Sequence, residues 1–439
     1  PAYDRRVLSD AEILAELEQT GQPGLTVGVT DRDATIAIGT YGLAEVASGR
    51  PVDEETLFEI GSIGKTFTAI LVLQLADEGA IDLDAPVATY LPWFDVPQPD
   101  GAEPIAIAHL LSHTSGLVAG IDGTPEAAFQ VWSLRERPTR SLPGARFHYS
   151  NVGFKALGLV LEAVTDTSYP ELLRARILDP LGMTATEPAI TNEIRRRLAV
   201  GYDYLHDDVV AVPGEAELVP ATWLETATAD GSIASNARDM CAFARMLLRG
   251  GEPLLGADAF ARMSAGHARV TDTAAYGYGL LIRELEGRRI IGHGGGMVGY
   301  LAGLQVDVDA GLGAIVLQNG YGAAPMRLAR MAIGLRGEAP GSGPVTDPEP
   351  ARWSPIAGTY RSHNPWTTNF AVLDRGGKPW LVFSSAPDGF DDEAPLVLDG
   401  DVYRVGDDPG NPETLRFDTE VGGRMLRAWL SGWPYFRVS

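Results

Sequence analysis

Strand-like alternation occurs at both ends of the first 335 residues and hardly at all between them, and this placement restricts the fold severely. Leu25 to Thr30 and Ala34 to Tyr41 alternate like an antiparallel pair joined through Asp31-Arg32-Asp33. The pattern returns at Tyr278 to Arg283, Arg289 to Gly292, Tyr300 to Val308 and Gly313 to Gln318. Helical spacing fills the middle, at Phe67 to Leu75, Pro104 to Leu111, Val152 to Thr165, Tyr169 to Leu178 and Ala237 to Arg249. Residues 118–145 read as irregular, while Asp10 to Thr20 and Pro325 to Leu335 read as flanking helices. Backbone groups of strands need partners, so the two ends are expected to meet in one antiparallel sheet with a helical subdomain inserted between them. That is an α/β (α+β) domain over residues 1–335. Residues 336–352, rich in Gly, Pro, Glu and Asp, read as a linker. Short strand patterns from Tyr360 to Val438 then give an all-β barrel over 353–439.

Within this frame the chemistry centres on Gly61-Ser62-Ile63-Gly64-Lys65. Residues three apart share a helix face, so the Ser62 hydroxyl and the Lys65 amine can meet. Ser62 falls at the helix start, where free N–H groups favour developing negative charge. Gly61 and Gly64 leave room for a second backbone or a substrate. Alone, Ser-x-x-Lys is a weak signal that more often marks a solvated helix start. The lysine count shifts the balance: Lys65, Lys155 and Lys378 are the only lysines, in a chain that otherwise writes its cations as arginine. An amine that must accept a proton cannot be replaced by arginine.

Two further stretches supply polar groups. Phe147-His148-Tyr149-Ser150-Asn151-Val152-Gly153 puts Tyr149 and Asn151 at a loop-to-helix junction, from which both can face one cleft. The phenol can share protons with Ser62 and Lys65, and the amide can serve a substrate carbonyl and Lys65. A buried tyrosine with a partner and a helix cap are the plainer readings. Gly292-His293-Gly294-Gly295-Gly296-Met297 ends a strand in glycines against which a substrate can lie, and the Gly296 N–H is a candidate oxyanion donor. Its match to a dinucleotide fingerprint is discounted, because an extended segment follows instead of a helix.

Taken in order, Ser62-Ile63-Gly64-Lys65, Tyr149-Ser150-Asn151 and His293-Gly294-Gly295 resemble the three motifs of the serine β-lactamase and penicillin-binding-protein-like family. Leu110 to Leu117, Asp230 to Asp239 and Tyr276 to Leu280 extend the similarity over roughly residues 10 to 335. The resemblance implies acylation of Ser62, proton handling by Lys65 and Tyr149, and an oxyanion hole formed by the Ser62 and Gly296 N–H groups. Asn151 and His293 join the catalytic set, and Gly294 and Gly295 line the substrate. Where β-lactamases and cell-wall transpeptidases carry lysine, this chain has His293, a weaker partner for a β-lactam carboxylate. The His-x-Gly form resembles esterases, D-aminopeptidases and stand-alone penicillin-binding-protein-type thioesterases, and a lipocalin-like C-terminal domain recurs in the latter two groups. The expected activity is acyl transfer on peptide-like thioesters, esters or amides. Release or macrocyclisation of a peptide with a D-residue at its acyl end leads, with a carrier-bound thioester as one form of the substrate. D-aminopeptidase or carboxylesterase action is the alternative; a β-lactamase or a non-catalytic binding protein ranks below both. Arg437 in the barrel is a candidate for a substrate carboxylate.

Composition excludes other classes. The net charge of −23 disfavours nucleic acid and anionic membrane as partners, and no apolar run reaches the ~18 residues of a membrane span. Cys241, the single cysteine, reads as a buried thiol, and the N-terminal Pro-Ala-Tyr-Asp-Arg-Arg lacks a signal-peptide core, which gives a cytoplasmic expectation. His109 and His113 lie one turn apart without the glutamate of a zinc-protease motif, so packing is expected rather than metal; no metal or other cofactor is expected. His206-Asp207-Asp208 reads as a solvated loop, and no Gly-x-Ser-x-Gly elbow occurs.

Overall fold

The two ends of the first 335 residues meet where Gly24–Asp31 pairs antiparallel with Leu312–Gln318, Val27 standing opposite Val316. The computed structural model describes residues 9–120, 126–204, 217–335, 355–383 and 391–438. The expected linker and the His206 to Asp208 loop lie outside these residues. The seam belongs to a nine-stranded antiparallel sheet. Its order is Arg50–Pro51, Thr35–Glu45, Gly24–Asp31, Leu312–Gln318, Tyr300–Asp307, Arg288–Met297, Leu281–Leu285, Ala274–Tyr276 and Ala268–Thr271.

Both faces of the central strands are covered, and side chains alternate between them. Val27, Val29, Ala314 and Val316 join a core with Ile13 and Leu328 from the flanking helices Asp10–Thr20 and Pro325–Ala332. Ile315, Leu317, Leu304 and Val306 point the other way, into the large core built on helices Gly64–Asp77, Asn151–Thr165 and Ala237–Leu248. Gly28 allows the last of these helices to lie close, since a Cβ there would sit 2.7 Å from Cys241 Sγ. Cys241 is thus buried, as its apolar context implies, and burial pushes its thiol up to about 12.

Several elements differ from the sequence reading. The strand begun at Arg288 does not stop at Gly292 but runs to Met297, paired residue by residue with Tyr300–Asp307. The expected strand from Tyr278 begins at Leu281 instead, and the hairpin of Ala268–Thr271 and Ala274–Tyr276 extends the sheet beyond it. Residues 118–145 contain a helix, Ala127–Trp132, and a 3-10 turn, Ser133–Glu136. Eight consecutive strands from Gly358–Arg361 to Trp433–Arg437 close into a lipocalin-like barrel, one of which, Glu393–Asp399, the alternation pattern does not reveal. Tyr360, Phe370, Phe383 and Tyr435 fill its interior. Among the described residues, no helix is long and apolar enough to cross a membrane.

The helix that follows Ser62 is anchored by Phe67, whose ring stacks on Phe243 with centroids 3.9 Å apart. Both side chains are fully buried. Phe67→Ala is expected to lower stability by about 3–5 kcal/mol, measured as a lower urea midpoint; a change within experimental error would contradict this account of the core.

Candidate active site

Residues 58–64 are gripped from two sides. Phe58–Glu59 pairs with Ala234–Ser235, and Ile60 N–H donates to Ile233 O at 2.9 Å. On the other side lies the glycine run of Arg288–Met297. A Cβ at Gly61 would sit 2.6 Å from Gly296 N, and one at Gly295 would collide with the Ile60 carbonyl oxygen. Gly231 lies equally close, since its Cβ would be 2.9 Å from the Gly61 carbonyl carbon. The glycines are required here because three backbones converge, and Gly61 also has φ of 53°.

This grip sets Ser62 in a 3-10 turn, Gly61–Ile63, which runs directly into the helix Gly64–Asp77. Lys65 Nζ donates to Ser62 Oγ at 2.9 Å and to Asp230 O at 2.7 Å. Ser62 is 7% exposed and Lys65 0%, so the pair is not a solvated helix start. Two threonines on the same helix fix its rotation: Thr66 Oγ1 donates to Gly279 O at 2.7 Å and Thr68 Oγ1 to Ala229 O at 2.6 Å.

Tyr149 and Asn151 flank Ser150, which caps the helix Asn151–Thr165 by accepting from Gly153 N–H. The cap is therefore Ser150, leaving Asn151 for other work. Lys65 Nζ lies 5.0 Å from the Tyr149 ring centroid, and the Tyr149 ring rests on His113 with centroids 4.1 Å apart. Asn151 donates its backbone N–H to Ala119 O at 2.6 Å, while its Oδ1 is buried without a hydrogen-bond partner among the described residues. The carbonyl seen to accept from Lys65 is that of Asp230, a group the sequence reading did not assign.

His293 is placed differently from a substrate-facing group. Its Nδ1 is 2.5 Å from Gly294 O and its Nε2 is 2.8 Å from Tyr276 Oη. A carbonyl only accepts, so Nδ1 carries the hydrogen and Nε2 accepts from the tyrosine. Burial, reinforced by Lys65, lowers this imidazole to about 4 despite the Gly294 bond. Both ring nitrogens are thus engaged within the protein, and Tyr276 enters the site as the partner of His293. Gly294 faces Met326, and Gly295 and Gly296 lie along the Ser62 turn.

A second lysine enters the site. Lys155, one turn beyond Asn151, donates to Gln130 Oε1 at 2.8 Å and lies 3.6 Å from Asp230 Oδ2. Two of the three lysines therefore converge on Asp230, one at its carbonyl and one at its carboxylate. The scarcity of lysine was the available signal for both. Arg437 lies in the last barrel strand opposite Tyr360, and its guanidinium donates to Pro355 O at 3.1 Å within the barrel. His109 Nδ1 accepts from Ala106 N–H and His113 Nδ1 from Ser150 N–H, so both rings brace backbone. Among the described residues, no group of three or more His, Cys, Asp or Glu side chains is arranged to hold a metal ion.

Comparison with known proteins agrees with this geometry. The Beta-lactamase family profile matches residues 10–338. Penicillin-binding protein 4 of Amycolatopsis lactamdurans is 30% identical over 341 residues, covering 73% of this chain and 88% of that protein. Further curated relatives are longer, and the chain spans about half of their length, 46–60%. Among solved structures, the octameric penicillin-binding protein homologue from Pyrococcus abyssi shares the fold at TM-score 0.67 and 24% identity, over 98% of this chain and 99% of that one. The D-stereospecific amidohydrolase from a Streptomyces species aligns at TM-score 0.59 and 27% identity, over 73% of this chain and 97% of its own.

The buried imidazoles give the site a pH signature. Burial also holds His113 well below its ordinary value, with Lys65, His293 and His148 adding to the effect. The unfolded chain takes up protons at these groups near pH 6.5, whereas folded His293 does so only near about 4. The contribution of His293 to stability is complete above pH 6.5 and is lost as pH falls toward 4, by up to about 1.4 kcal/mol per pH unit, and His113 acts in the same direction. Urea midpoints are expected to drop across this window in the wild type and less steeply in His293→Gln; parallel profiles would contradict the assignment.

Proposed function

The chain belongs to the beta-lactamase family of serine hydrolases and acyltransferases, and from that premise we propose that it transfers peptide-like acyl groups through an ester on Ser62, acting as a stand-alone thioesterase that releases or cyclises peptides. The reading rests on one observation above the others: a fully buried amine, Lys65 Nζ, held 2.9 Å from the Ser62 hydroxyl. A hydroxyl becomes a competent nucleophile when an adjacent base takes its proton.

In the proposed reaction the Ser62 proton passes to Lys65 as Oγ attacks the substrate carbonyl. The oxyanion is stabilised by the N–H groups of Ser62 and Gly296. Collapse breaks the carbon–sulfur bond of a thioester, and the thiolate leaves with the proton. An amine then adds to the same carbonyl and gives up a proton to Lys65, which returns it to Oγ as the carbon–Oγ bond breaks. The buried Asn151 Oδ1 supplies an acceptor suited to a substrate N–H, which favours peptide-like substrates over simple esters. His293 acts indirectly, by holding Tyr276 and the glycine strand. Presentation of the substrate on a carrier protein belongs to the same proposal.

Hydrolysis of D-configured amides is the second reading, supported by the likeness to the D-stereospecific amidohydrolase. The two share an acyl-enzyme and differ in what reaches its carbonyl. Intramolecular alignment corresponds to effective molarities of ~10⁵ M or more, against ~55 M water, so modest positioning of an amine suffices for cyclisation. A peptidyl thioester with a D-residue at its acyl end is expected to give mainly macrocyclic amide, and acetylation of its amino terminus should divert it to slow hydrolysis. Linear acid from both peptides at matching rates would replace the cyclase reading with the hydrolase.

A further inference from the structure

The barrel touches the catalytic domain along the segment that leads to Tyr149. Arg140 pairs with Asp399 and Arg146 with Asp408, both at partly exposed positions. A side chain at Gly432 would overlap the Arg137 guanidinium, so the strand turn lies directly on that residue. Exposed ion pairs of this kind contribute little.

Glu413 is a different contact. It precedes the barrel strand Thr414–Val421, yet it is 0% exposed. Its Oε1 accepts the Ala119 backbone N–H at 2.7 Å and lies 3.0 Å from His148 Nε2, while Oε2 takes the Ser431 hydroxyl. One carboxylate thus serves two donors of the catalytic domain and one of the barrel. Both catalytic-domain partners lead directly to the Tyr149–Asn151 turn. Ala119 O accepts from Asn151 N–H at 2.6 Å, and His148 adjoins Tyr149 and donates its own N–H to His113 O at 2.7 Å. Ser150 Oγ closes the same loop onto Val118 O at 2.8 Å.

We propose that Glu413 is a positioning residue supplied by the barrel: by bonding Ala119 and His148 together it fixes the turn that carries Asn151 and sets Tyr149 beside Lys65. The barrel is then a working part of the active site and not a cap. This inference rests on the reading of Ser62 and its partners as the acyl-transfer centre. A fully buried carboxylate with its donors in place has little freedom, because moving it leaves buried groups unpaired. Glutamine keeps an acceptor for the Ala119 and His148 donors; alanine keeps none.

The test uses the whole 439-residue chain with a chromogenic thioester of a D-aminoacyl peptide, alongside hydrogen exchange by mass spectrometry. Glu413→Ala should lower kcat by about tenfold to a hundredfold, as a misplaced group does, with KM within about twofold. Exchange should rise in peptides spanning 113–120 and 147–153 but not in helix Gly64–Asp77. Glu413→Gln should restore kcat to within about threefold. The double variant Arg140→Ala/Arg146→Ala should match the wild type in both readouts. Should Glu413→Ala not fold, His148→Ala carries the same expectation. Unchanged exchange, or faster exchange with unchanged kcat, overturns the proposal. A wild type that turns nothing over rejects the acyl-transfer reading instead, and the exchange data still decide whether Glu413 orders the turn.

Discussion

The close approach of the Ser62 turn to the Gly295–Gly296 backbone is the contact on which the rest of the site depends. No side chain can stand between these segments, because a Cβ at Gly295 would occupy the Ile60 carbonyl oxygen. The approach puts the N–H groups of Ser62 and Gly296 in one region, at the entry of a helix whose dipole favours negative charge. It also dictates the fold around it. The glycine strand comes from the C-terminal half of the sheet and the Ser62 helix from the N-terminal half. The two meet only because Gly24–Asp31 pairs with Leu312–Gln318 and brings the halves into one sheet.

Around that contact several polar groups bond one another, while Asn151 Oδ1 keeps no partner among the described residues. Lys65 is bound between Ser62 and the Asp230 carbonyl, and Asp230 is in turn held by Lys155. His293 spends both nitrogens on Gly294 and Tyr276. A buried polar network of this type is rigid when its members are paired. In the proposed reaction this rigidity holds the Ser62 hydroxyl and the Lys65 amine in place before substrate arrives, which is how positioning lowers a barrier. The barrel extends the same logic across a domain boundary, since Glu413 ties Ala119 to His148 on the far side of the Tyr149 turn.

Local spacing made the three motifs legible. Ser62 and Lys65 are one helical turn apart, Tyr149 and Asn151 straddle a helix cap, and His293 to Gly296 are contiguous. The antiparallel sheet and its helical insertion followed from alternation at the chain ends. Less visible was the length of the Arg288–Met297 strand: glycine carries little strand preference, so the pattern seemed to end at Gly292 although pairing continues to Met297. Pro395 hid the Glu393–Asp399 strand for a similar reason, and Ala127–Trp132 is too short for strong periodicity. Asp230, Tyr276 and Glu413 act through partners far away in sequence, at separations of 165, 17 and 265 residues, which no local pattern encodes.

The central claim is that Lys65 activates Ser62 as the acyl acceptor. Intact-mass measurement after brief exposure to an activated peptidyl ester, followed by peptide mapping, tests it most directly. The account expects one acyl group per wild-type chain, carried on the peptide containing Ser62. It expects no adduct in Ser62→Ala and almost none in Lys65→Arg, which keeps the positive charge but cannot accept a proton. An adduct on Ser112 or Ser115, or full labelling of the arginine variant at the wild-type rate, would contradict it.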